Sequence, residues 1–166
     1  LALYPVVGPQ PGRADHRTPT TPRDLARPRV DVMEAEITIP GETRSRVALS
    51  PDALALVRRL WNALGPLMFH QSGGCCDGSA PMCFPAGDFV TSDRDILLGR
   101  FDIAVNDEDS RLLDFWMSVE QFEYWSHTHL TVDVVPGRGS GFSVEAPEGV
   151  RFIIRSRLMQ EATPFS

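Results

Sequence analysis

One glycine-rich loop, residues 70–83, concentrates the side chains that bind metals or react as nucleophiles. It holds three cysteines, Cys75, Cys76 and Cys83, and begins with His70. Thiolates and imidazoles are the ligands that zinc, copper(I) and iron–sulfur clusters prefer, and glycines let the backbone bend closely around a bound ion. We therefore predict that this loop is the working part of the protein and binds iron, zinc or an iron–sulfur cluster.

Two further histidines, His127 and His129, fall at the start of a later predicted strand. Because they are two positions apart, an extended strand would direct both to one face, where they complete the metal site. The spacing of Cys83 from the two adjacent cysteines matches no standard zinc or ferredoxin pattern, so other interpretations stay open. Cys83 can be a small buried hydrophobe. His127 or His129 can be a hydrogen-bonded core residue.

The same cysteines also permit thiol chemistry without a metal. Adjacent Cys75 and Cys76 form only a strained eight-membered ring, so a disulfide from either of them to Cys83 is geometrically easier. His70 and the glycines can expose and activate a thiolate. The alternative function is therefore a thiol redox enzyme or switch. A third hypothesis makes the chain a structural partner that binds no metal.

Charge and composition exclude several classes of function. The chain of 166 residues has a formal charge of -6. Nucleic acids and anionic membranes are bound by clustered positive charge, so we expect neither as a partner. All sixteen basic residues are arginine, so lysine Schiff-base chemistry is excluded. No dinucleotide fingerprint is present, so we expect no nucleotide and no NAD-dependent dehydrogenase activity. Glycine-rich residues 137–141 lack a following lysine and predict a hairpin.

The sequence also indicates a cellular compartment. No apolar run approaches the roughly 20 residues that span a bilayer, and residues 1–4 lack the basic start of a signal peptide. An odd number of cysteines within one short loop is unsuited to a disulfide framework. We therefore expect a cytoplasmic protein whose thiols are reduced.

The chain divides into a tail and one domain. Residues 1–32 contain six of the fourteen prolines and show no helical or strand periodicity, which predicts a disordered tail. Residues 33–166 are long enough for a single globular domain with its own core. We expect truncation to Met33 to leave folding intact.

One helix and several short strands must position the loop. Ser50 caps a helix that starts at Pro51 and stops before Gly65, with apolar residues at spacings of three and four. Residues 119–125 predict a short helix or turn. The strand predictions cover residues 34–39, 67–71, 96–98, 101–105, 114–118, 128–135 and 151–158. This order predicts a mainly β or α+β domain with substantially antiparallel pairing, and no internal repeat is visible.

Three segments carry a resemblance to a known family. They are Val47-Ala48-Leu49-Ser50 with its helix, the Phe69-His70-Gln71-Ser72-Gly73-Gly74-Cys75-Cys76-Asp77-Gly78 loop, and Trp125-Ser126-His127-Thr128-His129. Over about residues 46–160 the chain resembles the acetaldehyde dehydrogenase-associated family, domain of unknown function 779. The resemblance implies that the protein is an accessory to an aldehyde or alcohol dehydrogenase system.

A more distant similarity indicates a fold. The Gly73-Gly74-Cys75 turn and residues 139–147 resemble the HesB-like A-type carriers of iron–sulfur assembly. This resemblance implies a buckled β pseudo-barrel with one flanking N-terminal helix, and a cluster held between two copies of the chain, so a homodimer is expected. Those carriers also use a C-terminal cysteine pair, which residues 151–166 lack.

The HesB-like resemblance also implies a geometry. The strand ending at Gln71 and the strand carrying His127 and His129 would belong to one folded-over sheet. At least one of the three histidines would then have a ring nitrogen within about 5 Å of a cysteine sulfur.

Overall fold

The computed structural model of the protein describes residues 31–73, 78–106, 109–139 and 141–160. The α+β class predicted from the sequence is confirmed. The elements in chain order are β1 (Met33–Glu34), β2 (Val47–Leu49), α1 (Pro51–Leu64), β3 (Leu67–Gln71), β4 (Met82–Pro85), β5 (Asp95–Asp102), β6 (Leu112–Ser118), α2 (Val119–Trp125), β7 (Thr128–Pro136), a short 3₁₀ turn (Ala146–Glu148) and β8 (Val150–Leu158).

The strands form two four-stranded sheets. The first sheet has the order β1-β2-β7-β8 and the second has the order β4-β3-β6-β5. In each sheet the outer pairs are antiparallel, as predicted, while the central pair is parallel. The expectation that β3 and β7 share one sheet was wrong, because they lie in different sheets. Among the described residues the sheets do not close into a continuous barrel, and a second helix, α2, accompanies α1.

Helix α1 forms where its local signals predict. The Ser50 hydroxyl accepts a hydrogen bond from the Ala53 amide at 3.1 Å, and Gly65 ends the helix at a φ of 86°, which favours glycine. Leu64, the last apolar residue of the helix, is 52% exposed. The buried face packs into the core through Ala53, Leu56, Val57 and Leu60.

Aromatic side chains from both sheets meet in the core. The ring of Phe69 on β3 lies 5.7 Å from Phe115 on β6 and 4.9 Å, edge to face, from Phe152 on β8. All three are fully buried or nearly so. Because β8 belongs to the first sheet and the other two strands to the second, the core lies between the sheets.

The topology contains an internal repeat that the sequence does not reveal. The first half runs β1-β2-α1-β3-β4 and the second runs β5-β6-α2-β7-β8. Each half contributes one antiparallel pair to each sheet. If each strand of the first half is replaced by its equivalent in the second half, and the reverse, the strand order of the first sheet becomes that of the second. Ser50 and Ser118 occupy equivalent positions and cap α1 and α2 respectively. The two halves share pairing and caps rather than a recognisable residue pattern.

Backbone hydrogen bonds link both edges of the first sheet, at β1 and β8, to other parts of the chain. Next to β1, the Glu36 amide donates to the Arg100 carbonyl on β5 at 2.7 Å. On β8, the Ile154 carbonyl accepts from the Gly78 amide and the Ile154 amide donates to the Ser79 carbonyl, both at 2.7 Å. The second bridge holds one flank of the segment that carries Cys75 and Cys76.

Strand boundaries differ from the sequence prediction in three places. The predicted strands 96–98 and 101–105 are the single strand β5, which has a bulge near Gly99. The predicted strand 34–39 shortens to β1 followed by one isolated bridge at Glu36. Strand β4 forms inside the loop predicted to be irregular, because β3 offers it an edge. No helix of the described residues is long and apolar enough to cross a membrane. The tail prediction falls mostly on residues 1–30, outside the described part.

Candidate functional site

His70 is held by a carboxylate at the end of β3. Its side chain is 3% exposed and its Nε2 atom donates to Asp95 Oδ1 at 2.8 Å. The ring packs against Phe89 at a tilt of 35°, with centroids 4.1 Å apart. Asp95 is the first residue of β5, two strands away, so the register of β3, β6 and β5 brings the two side chains together. One ring nitrogen is thereby engaged, and chemistry at this histidine would use Nδ1.

Several groups stabilise the Asp95 carboxylate. Burial works to raise the pKa of its carboxyl, but hydrogen bonds from His70 and Ser92 outweigh burial and hold the pKa below the ordinary value. The Ser92 amide donates to Oδ2 at 2.9 Å, while His70 uses Oδ1. Asp95 therefore remains an ionised acceptor that orients the imidazole.

The pair opens onto a cleft of about 580 Å³, which is within the roughly 300–1,000 Å³ typical of small-molecule sites. Its walls come from the end of β3, the turn before β5 and the start of α2. Most of the lining side chains are hydroxyl-bearing or charged. They are His70, Ser72, Ser92, Asp93, Arg94, Asp95, Ser118, Val119 and Glu120.

Hydrogen bonds hold the residues on both sides of the segment that contains Cys75 and Cys76. Before it, the Gln71 side-chain amide donates to the Gly73 carbonyl. After it, Gly78 and Ser79 bond to Ile154 on β8. Cys75 and Cys76 lie outside the described residues, so their part in a site stays a prediction.

Cys83 lies on the other side of the second sheet from His70. It pairs with Phe69 across β3 and β4 and joins the core cluster, fully buried. Burial, with a smaller contribution from the charge of Glu145, raises the pKa of the Cys83 thiol well above its ordinary value. The side chain therefore stays a thiol, as the interpretation of a small buried hydrophobe predicted.

The two later histidines are not presented together. His127 lies in the turn before β7 and is exposed, with Nδ1 3.2 Å from the Ser126 hydroxyl. His129 is on β7, 3% exposed, and its Nε2 donates to Glu34 Oε2 at 2.7 Å. The expectation that both share one strand face was wrong, because β7 begins only at Thr128.

Three of the four described candidates occupy three separate places, and His127 lies apart from them in the turn before β7. His70 lies on the outer face of the second sheet, His129 on the outer face of the first sheet, and Cys83 between the sheets. Within the described ranges, no group of three or more histidine, cysteine, aspartate or glutamate side chains is arranged to hold a metal ion. The predicted approach of a histidine to Cys75 or Cys76 falls on residues outside those ranges.

A family model for a domain of unknown function, DUF779, matches residues 56–158, more than half of the chain. The chain belongs to this family. No curated protein and no solved structure matches it.

Sequence reasoning missed two partners in this DUF779 chain, Asp95 and Glu34. Asp95 ends a short polar turn and Glu34 lies at the start of a predicted strand, and neither neighbours its histidine in the sequence. The separation is 25 positions between Asp95 and His70, and 95 between Glu34 and His129. The only local signal is the Ser92-Asp93-Arg94-Asp95 turn, in which the Asp95 carboxylate bonds back to Ser92. That signal predicts the turn but not its histidine partner.

Proposed function

We propose that this protein is an accessory metal- or iron–sulfur-binding protein whose site uses His70, Cys75 and Cys76. The observation that carries the proposal is the buried His70–Asp95 pair. Metal-binding histidines commonly donate their second ring N–H to a carboxylate, which fixes the ring and its tautomer. Asp95 supplies that second contact and leaves His70 Nδ1 as the ligand atom.

Chain length supports the participation of the thiols. Cys75 follows Gly73 by two residues, and an extended chain spans at most about 3.6 Å per residue. Ser72, just before Gly73, lines the same cleft as His70. Two thiolates and one imidazole form a soft donor set suited to zinc or iron, and the bound metal would supply Lewis acidity or electron transfer.

The other three predicted ligands are left out of the proposed site. Cys83 faces the core with a raised thiol pKa, and His129 is engaged with Glu34 in the first sheet. His127 is exposed in a turn. The remaining coordination positions are assigned to water, substrate or a second copy of the chain.

The test is metal content. Protein purified without a histidine tag and without oxygen is reconstituted with iron and sulfide or with zinc, and the bound metal is measured by elemental analysis. We expect near-stoichiometric metal in the unaltered chain and none in Cys75→Ser or Cys76→Ser. In Asp95→Asn the affinity for the metal should fall about 10–100-fold, because the carboxylate that orients the His70 ring is lost. Less than about a tenth of an equivalent after reconstitution contradicts the proposal.

Cys83→Ala is the matched control. It removes a third thiol from the same chain, yet its side chain lies in the core. We expect this variant to unfold more easily but to retain the metal. Loss of metal in Cys83→Ala together with retention in Cys75→Ser would move the site from Cys75 and Cys76 to Cys83.

We further propose an aldehyde or alcohol dehydrogenase as the partner, on the basis of the family resemblance alone. Sedimentation velocity of the purified chain with an aldehyde dehydrogenase from the same organism should show a faster complex. The chain sedimenting alone would also report whether it is the expected homodimer. Independent sedimentation of the two proteins at all concentrations tested would remove this partner.

A thiol redox function is the second candidate, and the same pair favours it. A histidine oriented by a carboxylate is the arrangement that accepts a proton from a thiol and yields a thiolate. Because Cys83 is buried in the core, the reactive pair would be Cys75 and Cys76. Peroxide would convert them to the strained vicinal disulfide, with two electrons and two protons passing to peroxide to give two waters. Mass spectrometry that finds three free thiols after mild peroxide treatment eliminates this function.

A further inference from the structure

A second cleft, of about 460 Å³, lies at the edge of the first sheet, away from the residues of the proposed metal site. Its walls come from β1, residues 43–45 and the end of β8. The volume falls within the roughly 300–1,000 Å³ typical of small-molecule sites. The cleft therefore has room for a small ligand.

His129 forms part of this cleft, with one ring nitrogen unpaired. Nε2 donates to Glu34, whose carboxylate also lines the cleft. Nδ1 is buried and has no hydrogen-bond partner among the described residues. Because Nε2 donates its proton to Glu34, the neutral ring presents Nδ1 as an acceptor. A buried acceptor without a donor is unusual in folded proteins and is commonly explained by an unseen water or by an O–H or N–H group of a ligand.

Two guanidinium groups line the same cleft. Arg157 is the cross-strand partner of His129, so both side chains lie on one face of the sheet. Arg44 donates from Nη1 to the Gln160 carbonyl at 2.6 Å. Neither arginine has an ion pair with a carboxylate of another described residue, whereas Arg46, Arg59, Arg100 and Arg155 each have one.

We propose that this cleft binds a small molecule through a carboxylate or phosphate group held between Arg44 and Arg157. A guanidinium presents a rigid fork of donors that matches both oxyanions. Glu34, the carboxylate that lines the cleft, is already engaged by His129, and Ser45 adds a further polar residue to the wall. This inference does not depend on the proposed metal site, since it uses none of its residues.

The test is a nuclear magnetic resonance titration of the full chain. Phosphate and succinate are added separately, and sodium chloride at matched ionic strength serves as the reference. We expect saturable shifts of the His129 ring signals and the Ser45 amide. Saturation by succinate alone identifies a carboxylate ligand, saturation by phosphate alone identifies a phosphate ligand, and saturation by both supports the site with either oxyanion.

Variants assign the site to the two arginines. Arg44→Gln and Arg157→Gln should each weaken binding about tenfold or more, because a charge-assisted contact is lost. Arg157→Lys keeps the charge without the fork and should bind with intermediate affinity. Arg111→Gln removes the same charge at Asn62, outside the cleft, and should bind like the unaltered chain. Shifts no larger than those with chloride, or equal weakening in Arg111→Gln, overturn the proposal.

Discussion

Two buried histidines, one on each sheet, are held by carboxylates in different ways. His70 bonds to Asp95, and His129 bonds to Glu34, at nearly equal distances of 2.8 and 2.7 Å. Asp95 is 10% exposed and also accepts from Ser92, whereas Glu34 is 44% exposed. The protein itself therefore fixes the His70 ring, while water competes for the carboxylate that holds His129.

The helix starts of the two halves show a related difference. At α1, the Ser50 hydroxyl donates to Asp133 Oδ1 at 2.7 Å, and Arg155 donates to Asp133 Oδ2 at 2.7 Å. At α2, Ser118 caps the helix and lines the 580 Å³ cleft. When the two halves are aligned by strand register, Thr131 on β7 occupies the position that His70 occupies on β3. Equivalent topology thus gives a closed polar network in one half and an open cleft in the other.

Two substitutions share the largest expected effect, and the first is Gly99→Ala, which displaces the segment that carries Glu34, the partner of His129. A β-carbon at Gly99 would lie 2.6 Å from the Ala35 β-carbon and 2.8 Å from Val47 Cγ1. Segment 33–36 would have to move away from β5, at a cost of about 1–3 kcal/mol. Urea unfolding measures the loss. Gly141→Ala, where the added carbon meets nothing within 4 Å, is the control and should change stability by less than about 0.5 kcal/mol.

Removing each carboxylate separates the two pairs. Asp95→Ala leaves the buried His70 Nε2 without its acceptor and should cost about 1–3 kcal/mol. Glu34→Ala should cost less than about 1 kcal/mol, because water can reach the position of this half-exposed carboxylate. Asp95→Asn keeps an acceptor and should lose less than Asp95→Ala. Equal losses of unfolding free energy for the two alanine variants would show that burial does not distinguish the pairs.

The helix caps provide a smaller comparison. Ser50→Ala should cost about 1–2 kcal/mol, because it removes the cap of α1 and leaves Asp133 with one fewer donor. Ser118→Ala should cost about 0.5–1 kcal/mol, because among the described residues its hydroxyl accepts a hydrogen bond from the Gln121 amide alone. Denaturant midpoints of the two variants provide the measurement. A greater loss for Ser118→Ala would indicate further bonds of Ser118 within the cleft.

The smallest effect is a change in pH dependence. Glu145 is 1% exposed, and burial raises the pKa of its carboxyl despite the hydrogen bond from Ser143. The folded state therefore binds this proton more tightly than the unfolded state, and stability falls as pH rises from 4.5 through the raised pKa. Asp95 has the opposite sign: its lowered pKa gives stability that is present above 3.8 and lost as pH falls through the lower value.

Glu145→Gln tests the sign directly. The amide keeps hydrogen-bonding capacity without a charge, so the variant should lose the decline in stability above pH 4.5 and become more stable relative to the unaltered chain. Urea midpoints across the pH range measure the slope. A slope unchanged by the substitution would assign the decline to other groups.

The sequence alone determined the elements whose signals lie within a few neighbouring residues. Ser50, Pro51 and Gly65 set the ends of α1 because capping and positive φ are local properties. Strands β3, β7 and β8 and helix α2 were also predicted close to their observed bounds, because the patterns that indicate them lie within each segment. The burial of Cys83 was also one of the interpretations that its apolar neighbours allowed.

Only the tertiary structure decided which side chains meet. Asp95 reaches His70 across β6, and Glu34 reaches His129 across β2, so both pairs depend on strand register. Register places Cys83 and His70 on opposite faces of one sheet, because neighbouring positions on a strand alternate between faces. The repeat of the two halves resides in the order of pairing, which long-range backbone hydrogen bonds determine and which different side chains satisfy equally well.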